Sequence, residues 1–275
     1  MTRLDCFNEA SRLVFRYMKP GVLTNHVMSA DEYGADIAGG KLYAYTWPGG
    51  LLFLRERESY HMLSYYVTDI SIHPDCDLPL DTFAEIAYKP SGTENTLRAV
   101  KFWEQAGLSA VFERVRLTRL AKTSEISNIS LNDDRNGGMY THSPPLTAKQ
   151  QDIDAISKLL YKSFDHRTGH IPDYQELADS IKDGQIICIQ DSRGEICGLL
   201  RWIPRVASVE IRQLAIHEDM RGKGLAHRLL AAFVGIMDGK KITVWARDGY
   251  APALKSYVSA GFAVDGWRST VLIKS

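Results

Sequence analysis

The stretch Glu210-Ile-Arg-Gln-Leu-Ala-Ile-His-Glu-Asp-Met-Arg-Gly-Lys-Gly-Leu-Ala226 decides the fold of the C-terminal half of the chain. It begins in the apolar run Val209 to Ile216, which predicts a strand. It ends in the run Leu225 to Met237, whose composition is typical of a helix. Because Gly222 and Gly224 lie between these runs, the stretch predicts a strand that passes through a short glycine-containing turn directly into a helix.

A turn of this kind can hold a phosphate. The backbone N–H groups at a helix N-terminus have no intrahelical acceptor, and the helix dipole favours negative charge there. Glycine lets a ligand approach the backbone closely, and Arg221 or Lys223 can add positive charge. These residues alone therefore indicate a phosphate-binding turn.

Other phosphate and hydrolase motifs do not fit the sequence. The chain contains neither G-x-x-x-x-G-K-[ST] nor G-x-S-x-G. His227 stands where the dinucleotide fingerprint needs its third glycine, and His217-Glu218 lacks the second histidine of a zinc-protease helix. The motifs therefore support neither a P-loop kinase nor a dehydrogenase.

The elements around the turn alternate between helices and strands. Ala148 to Phe164 carries apolar residues at the three-and-four spacing of one buried helical face. The predicted elements that follow are a helix, three strands, a helix, a strand, a helix and closing strands: Tyr174–Ile181, Gln185–Gln190, Ile196–Ile203, Val209–Ile216, Leu225–Met237, Lys241–Ala246, Ala251–Ser259 and Ala263–Lys274. This order indicates an α/β layered fold.

The length of 275 residues favours two compact domains. Between Arg119 and Leu146 the hydrophobic periodicity is lost, and Ser, Asn, Asp and Gly accumulate. We therefore expect an N-terminal domain over residues 1–125, a linker over 126–144 and a C-terminal domain over 145–275.

Composition limits the partners and the compartment. Lys plus Arg and Asp plus Glu both number 33, so the zero net charge favours neither a nucleic acid nor a membrane partner. Charged residues interrupt the apolar ones from Met1 to Lys19, which argues against a signal peptide, and we expect a cytoplasmic protein. The four cysteines form no C-x-x-C pair, so we expect free thiols and no metal.

Two patterns together point to a family. Arg221, Gly224 and Ala226 match the motif Q/R-x-x-G-x-G/A, and the segment from Ala253 to Phe262 matches A-x-x-x-Y-x-x-x-G-F. With the strands around them, they resemble the GNAT superfamily of N-acetyltransferases. The resemblance implies a mixed, mostly antiparallel central sheet with helices on both faces. It also implies direct transfer of an acyl group, most simply from acetyl-CoA, to an amine.

The resemblance also assigns roles to residues. The backbone around the turn would bind the CoA pyrophosphate, through Arg221, Gly222, Lys223, Gly224, Leu225 and Ala226. Leu214, Ala215 and Ile216 would lie along the acyl-pantetheine arm, where the fourth and fifth strands splay apart. There the N–H of Leu214 would polarise the acyl carbonyl.

Acyl transfer to an amine needs a base for the ammonium and an acid for the departing thiolate. By the resemblance, Glu210 is the candidate base and Tyr257 the candidate acid. The alternatives are that Glu210 pairs with Arg212 and that Tyr257 packs in the core. His166, Arg167 and His170 are weaker candidates for the acceptor site. Tyr250, where many relatives have asparagine, departs from the family pattern.

The N-terminal half resembles a second, degenerate GNAT-like unit. Thr96 to Leu108 followed by Ser109 to Leu120 repeats the helix–glycine–strand ending, and strand-like runs precede it. Trp103 stands where the C-terminal half has Tyr257, and no R-x-x-G-x-G/A turn is present. We therefore expect a structural unit that does not bind CoA in the usual way.

Three functions remain open from the sequence. The leading one is an acyl-CoA-dependent N-acyltransferase that acts on a small-molecule amine or a peptide. The alternative is a non-catalytic sensor or scaffold that binds acyl-CoA, and the third is an interaction scaffold without CoA. The sequence leaves open both the identity of the acceptor and assembly as a homodimer.

Overall fold

The computed structural model describes residues 1–26, 28–120 and 143–274. The chain divides into two compact units. Unit 1 comprises Met1–Arg114 and the C-terminal segment from Gly266, and unit 2 comprises Val115–Asp265. Most of the expected linker, residues 126–142, lies outside the described residues. Compared with the expected domains, unit 2 begins earlier, at Val115, and the segment from Gly266 onward groups with unit 1.

Unit 1 is an open sheet with helices. Its elements are β1 (Thr2–Arg3), α1 (Phe7–Tyr17), β2 (Leu23–Thr24), α2 (Ala30–Ala38), β3 (Leu42–Trp47), β4 (Gly50–Glu56), β5 (His61–Val67), β6 (Thr82–Tyr88), α3 (Thr93–Gln105) and β7 (Ser109–Arg119). β7 enters unit 2 at Val115. The strand order is β1-β3-β4-β5-β6, and only the β5–β6 pair is parallel.

The sheet of unit 1 buries both of its faces. Leu42, Leu51 and Phe53 pack with α1 and α2, whereas Leu52 and Leu54 pack with Trp103 of α3. Leu51 and Phe53 alternate with Leu52 and Leu54 along β4, as expected for a strand with a helix on either side. Helices therefore cover both faces of the sheet.

Unit 2 repeats this plan. Its elements are β8 (Leu146–Thr147), α4 (Ile153–Ser163), α5 (Tyr174–Lys182), β9 (Ile186–Gln190), β10 (Ile196–Arg205), β11 (Ser208–Ile216), α6 (Leu225–Ile236), β12 (Ile242–Arg247), α7 (Ala251–Ser259) and β13 (Ala263–Ile273). The strands run β8-β9-β10-β11-β12, and only β11 and β12 are parallel. From Gly266 onward, β13 belongs to unit 1, where it pairs with β6.

Two apolar clusters cover the sheet of unit 2. Ile156 and Leu160 of α4 pack with Leu199 on one face. Leu229 of α6 packs with Leu200 on the other. The prediction of a mixed, mostly antiparallel sheet with helices on both faces, present twice in the chain, is confirmed.

The units differ in the connection between their parallel strands. In unit 2, α6 joins β11 to β12, whereas residues 68–81 of unit 1 join β5 to β6 without a helix. Unit 1 therefore lacks the helix whose N-terminus was predicted to bind phosphate in unit 2. In the described parts of the chain, no helix is long and apolar enough to cross a membrane.

Candidate active site

The two parallel strands of unit 2 separate along their length. β11 and β12 pair only at Val209↔Ile242, Glu210↔Thr243 and Ile211↔Val244. Both strands continue beyond this point, to Ile216 and Arg247. We call the opening beyond the Ile211–Val244 pair the strand cleft. Its position is the one that the resemblance implied for an acyl-pantetheine arm.

A β-bulge at Arg212 shapes the β11 side of the strand cleft. On β10, Trp202 pairs with Ile211 and Arg201 pairs with Gln213, so Arg212 is an extra residue. The side-chain alternation shifts by one at the bulge. As a result, Ile211, Leu214 and Ile216 all pack with the α6 cluster. The spacing of three between Ile211 and Leu214 is the sequence signal that could have predicted the bulge.

The Leu214 N–H faces the strand cleft. The N–H of His217 donates to the carbonyl of Cys197 on β10 at 2.8 Å. Because backbone groups alternate along a strand, the N–H groups of Leu214 and Ile216 point away from β10 and towards β12. Those two donors therefore line the strand cleft, as a contact to an acyl carbonyl and a pantetheine amide would require.

The glycine turn leads from β11 into α6. Gly222 and Gly224 have φ angles of 76° and 77°, which side-chain-bearing residues rarely adopt. A Cβ atom at either position would meet no atom within 4 Å, so the space above the turn is open. Gly224 also provides no side-chain cap for α6, so the first N–H groups of the helix are available to a ligand. The turn therefore fits a phosphate group.

The two cations of the turn are exposed. Arg221 Nε donates to the carbonyl of Ile216 at 3.2 Å, and Lys223 Nζ lies 3.3 Å from the sulfur of Met220. Both side chains lie beside the turn without forming a buried charge site. Phosphate binding at this position would therefore depend mainly on backbone N–H groups.

Tyr257 lies in the core between α6 and α7. The residue is 6% exposed, and its ring contacts that of Phe262 edge-on with the centroids 5.7 Å apart. It belongs to the cluster against which Leu214 and Ile216 pack. Burial raises the pKa of Tyr257, so its hydroxyl remains protonated at neutral pH and can act as a donor.

Glu210 lies on the opposite face of the sheet. Its carboxylate accepts from Arg212 Nη1 at 2.7 Å and from Arg205 Nε at 2.9 Å. Burial alone would raise the pKa of Glu210, but the charges and hydrogen bonds of Arg212 and Arg205 outweigh it and hold the pKa below its usual value. The contact with Arg212 matches the ion pair considered from the sequence, whereas no sequence pattern indicated the contact with Arg205. We call these three residues the Arg–Glu–Arg cluster.

The structure does not bring Glu210 and Tyr257 together. Glu210 alternates with Val209 and Ile211, which face α6, so its side chain lies on the α4–α5 face. Tyr257 lies on the α6–α7 face. Groups on opposite sides of the strand cleft could serve a leaving thiol on one face and an incoming amine on the other.

The loop between α4 and α5 is anchored to β11. The Gln213 side chain, 1% exposed, donates to the carbonyls of Gly169 and His170 at 3.0 and 2.8 Å. It also accepts from Arg201 Nη1 at 3.1 Å. His170 adopts a left-handed φ of 48°. The loop that carries His166, Arg167 and His170 is therefore held over the α4–α5 face by a buried glutamine that sequence analysis did not identify.

The corresponding opening in unit 1 is filled by the chain itself. β5 and β6 pair only at His61↔Thr82 and Met62↔Phe83. Beyond these pairs, β2 joins the edge of β5, and Asn25 Nδ2 donates to the carbonyls of Leu63 and Glu85 at 3.0 and 3.2 Å. This part of unit 1 therefore leaves no free strand edge for a pantetheine arm.

Comparisons with known proteins concern the family and the fold of the chain. A family model described as "Acetyltransferase (GNAT) family" matches residues 153–262. No curated protein matches the sequence. A GCN5-related N-acetyltransferase from Sphaerobacter thermophilus has a TM-score of 0.57 and 15% identity, covering 89% of this chain and 84% of that one.

Two further structures share the fold over nearly the whole chain. An acetyltransferase of the GNAT family from Colwellia psychrerythraea has a TM-score of 0.53 and 11% identity, covering 99% of this chain and 98% of that one. A tandem GNAT protein from the clavulanic acid biosynthesis pathway has a TM-score of 0.52 and 12% identity, with coverages of 98% and 89%. At these identities the likeness establishes the fold.

The fold and the family model together define the class of protein. Residues 153–262 match the model of the GNAT acetyltransferase family, and the two units together share the fold of a tandem GNAT protein. Enzymes of this class transfer an acyl group from acyl-CoA to an amine. Among the described residues, no group of three or more His, Cys, Asp or Glu side chains is placed to hold a metal ion.

Proposed function

We propose that unit 2 binds acetyl-CoA and transfers its acetyl group directly to the amine of an acceptor. The observation that carries this proposal is the continuity between the strand cleft and the glycine turn. The donors of Leu214 and Ile216 lie on the same strand that leads, through Gly222 and Gly224, into the uncapped end of α6. A thioester at the cleft and a pyrophosphate at the turn would both find backbone donors.

The backbone of unit 2 would hold the cosubstrate. The N–H groups from Arg221 to Ala226 would bind the pyrophosphate, and the strand edge from Leu214 through Ala215 to Ile216 would bind the pantetheine arm. Acetyl-CoA supplies an activated thioester. The N–H of Leu214 would donate to its carbonyl oxygen, where negative charge develops during attack by the amine.

Two side chains would move the protons. Glu210 is the candidate to accept the amine proton, directly or through water, from the α4–α5 face. Tyr257 would donate to the departing sulfur from the α6–α7 face. No group of the protein has to be acylated, because the amine attacks the thioester itself.

A thiol-release assay tests this proposal. The protein is incubated with acetyl-CoA and amines of different charge, and free CoA is measured with a thiol reagent. We expect CoA release that depends on the amine and an acetylated amine in equal amount, identified by mass spectrometry. Binding of acetyl-CoA without release for any amine would instead support a non-catalytic sensor or scaffold.

Two observations favour the second candidate, the non-catalytic sensor or scaffold. A carboxylate with two arginine partners and a lowered pKa is a weaker base than an isolated glutamate. The exposed Tyr250 is another departure from the family pattern. The same thiol-release assay separates the two functions, because only the transferase consumes acetyl-CoA.

A further inference from the structure

A buried glutamine lies where β11 separates from β12. The last pair between these strands is Ile211↔Val244, and Gln213 follows it, one residue before Leu214. The Gln213 side chain points to the α4–α5 face, whereas that of Leu214 packs on the α6 face. Glu210 of the Arg–Glu–Arg cluster lies before it on the α4–α5 face. Gln213 is therefore beside the open edge of β11, on the face assigned to the incoming amine.

The side-chain amide of Gln213 has a single orientation. Its Nε2 atom donates to the carbonyls of Gly169 and His170 at 3.0 and 2.8 Å, and its Oε1 atom accepts from Arg201 Nη1 at 3.1 Å. Because a carbonyl can only accept and a guanidinium can only donate, turning the amide over would break all three hydrogen bonds. Both N–H groups of the amide are therefore used to hold the loop between α4 and α5.

Arg201 ties the same glutamine to α5. Its side chain is buried, and its Nε and Nη2 atoms donate to Ser180 Oγ and Glu176 Oε1 at 3.0 and 2.8 Å. Both acceptors belong to α5. Each nitrogen of the guanidinium therefore has an acceptor, and a buried polar network with all its members satisfied holds one geometry. The network joins β10, β11, α5 and the loop before α5.

The loop is also closely packed against its own beginning. The N–H of Gly169 donates to the carbonyl of Asp165 at 2.8 Å. A Cβ atom at Gly169 would lie 2.5 Å from Phe164 Cβ and 2.7 Å from that carbonyl oxygen, so only glycine fits there without a shift. His170 adopts its left-handed φ, which costs free energy for a residue with a side chain. Residues 165–170 therefore hold a defined conformation against Gln213.

Packing alone does not require a glutamine at this position. Ala215, two residues further along the same face, belongs to the apolar cluster beneath α4. Burying an amide has a desolvation cost, which its hydrogen bonds offset with little left over. What the hydrogen bonds of Gln213 add is a fixed position of the loop beside the open edge of β11.

We infer that Gln213 is a positioning residue for the acceptor, because it holds residues 165–170 beside the open edge of β11 as a fixed wall for the amine. This inference rests on the proposed acetyltransferase function. Gln213 itself touches no substrate, since its amide is fully used. Loss of the anchor should therefore weaken the amine and spare acetyl-CoA, whose proposed contacts are backbone groups of β11 and the glycine turn.

The variant Gln213→Glu tests the anchor with almost no change of shape. A carboxylate keeps the contact with Arg201, but it loses both donors and repels the two carbonyls. Hydrogen exchange, followed by mass spectrometry, should become about tenfold faster or more in residues 165–170 and stay unchanged in residues 221–226. Gln150→Glu makes the same chemical change at an exposed position and is the control. It should leave both segments unchanged.

Kinetics then shows whether the anchor serves the acceptor. Spermidine, tyramine and the common amino acids with their amides are assayed with acetyl-CoA by thiol release. For the amine with the highest wild-type rate, Gln213→Glu should raise KM about tenfold, the scale of one or two hydrogen bonds. The Kd of CoA, from calorimetry, should change less than about twofold. A purely structural role would lower the folded fraction, and kcat with it, at an unchanged KM.

A second variant reaches the same loop without touching β11. Gly169→Ala places a methyl group against Phe164, which displaces the loop, and it decides the question if Gln213→Glu does not fold. It should also raise the KM of the amine and leave the Kd of CoA unchanged.

The outcomes separate this inference from the function beneath it. An unchanged KM for the amine in a folded variant whose loop exchanges faster would overturn the inference but keep the transferase. Equal weakening of the amine and of CoA would also overturn it. Release of no CoA by the wild type with any amine would remove both the transferase and the acceptor role of Gln213.

Discussion

At the scale of single residues, the two proposed proton-transfer groups have opposite environments. Tyr257 is buried among apolar side chains, and among the described residues no group hydrogen bonds its hydroxyl. Glu210 is held by two arginines. Burial keeps the tyrosine neutral and ion pairing keeps the glutamate charged, so each is in the protonation state that its role needs before the reaction.

The variant Tyr257→Phe tests the acid. We expect kcat to fall about 10- to 100-fold, while the KM for acetyl-CoA changes little, because the ring packing against Phe262 is kept and only the donor is lost. Steady-state kinetics with a saturating amine measures both constants. An unchanged kcat would exclude Tyr257 as the acid and leave it as a core residue.

The variant Glu210→Gln tests the base. Because the pKa of Glu210 is lowered, its carboxylate is ionised at neutral pH and can accept the proton of the amine. The glutamine amide cannot, so kcat/KM for the amine should fall about 100-fold near neutral pH. The remaining rate should rise with pH as more of the amine loses its own proton. Glu195→Gln, at an exposed ion pair with Arg193, is the control. An unchanged rate and pH profile would assign Glu210 a purely structural role.

At the scale of elements, the turn before α6 supplies backbone donors. Lys223 is exposed and contacts only the sulfur of Met220 among the described residues. We therefore expect Lys223→Ala to weaken CoA binding only about 2- to 5-fold, the effect of one exposed charge near a helix N-terminus. Calorimetric titration of CoA at low and high salt measures the change. A loss of about 100-fold or more would show that the side chain carries the binding.

The sequence predicted these elements where local chemistry determines them. Glycine spacing and apolar periodicity predicted the turn at Gly222 and Gly224, and α7 from Ala251 to Ser259. The hairpin at Pro48-Gly49, with Trp47 opposite Gly50, is another local feature of this kind. These features depend on residues that are close together in the chain.

Features that depend on distant residues could not be predicted in this way. The buried side chain of Gln213 contacts the carbonyls of Gly169 and His170, which lie 44 and 43 positions before it. Asn25 lies about 40 residues before the strand that it contacts. Nothing in the local pattern of β13 indicated that its residues from Gly266 onward belong to unit 1.

At the scale of the whole molecule, the two units share a plan but differ in what their strand openings contain. Unit 2 has α6 and an open strand edge, whereas unit 1 lacks the helix and fills its opening with residues 23–25. The chain should therefore bind one CoA, at unit 2.

Unit 1 also has a partly buried histidine that predicts a pH effect. His26 lies between the hydroxyls of Tyr33 and Tyr66, at 2.6 and 2.7 Å, and burial followed by the charge of Arg55 lowers its pKa from 6.5 to about 4. The unfolded chain therefore binds more protons than the folded chain between these pH values. Stability should fall as the pH drops through this window.

Urea unfolding measures this effect. Between pH 7 and pH 5, His26 should contribute a loss on the order of 1–2 kcal/mol, allowing for its partial exposure. In His26→Gln the pH dependence should be flatter by that amount, whereas His73→Gln, which changes another histidine of unit 1, should keep it. An equal pH dependence in the wild type and His26→Gln would rule out this role for His26.

The central claim is that acetyl-CoA binds to the glycine turn of unit 2, and calorimetric titration tests it most directly. The wild type should bind one acetyl-CoA per chain, and Gly224→Val should abolish binding. Gly239→Val is the matched control, because Gly239 also has a left-handed φ, of 75°, and open space around it. It should bind as the wild type does. Absence of binding to the folded wild type, two sites per chain, or undiminished binding to Gly224→Val would contradict the claim.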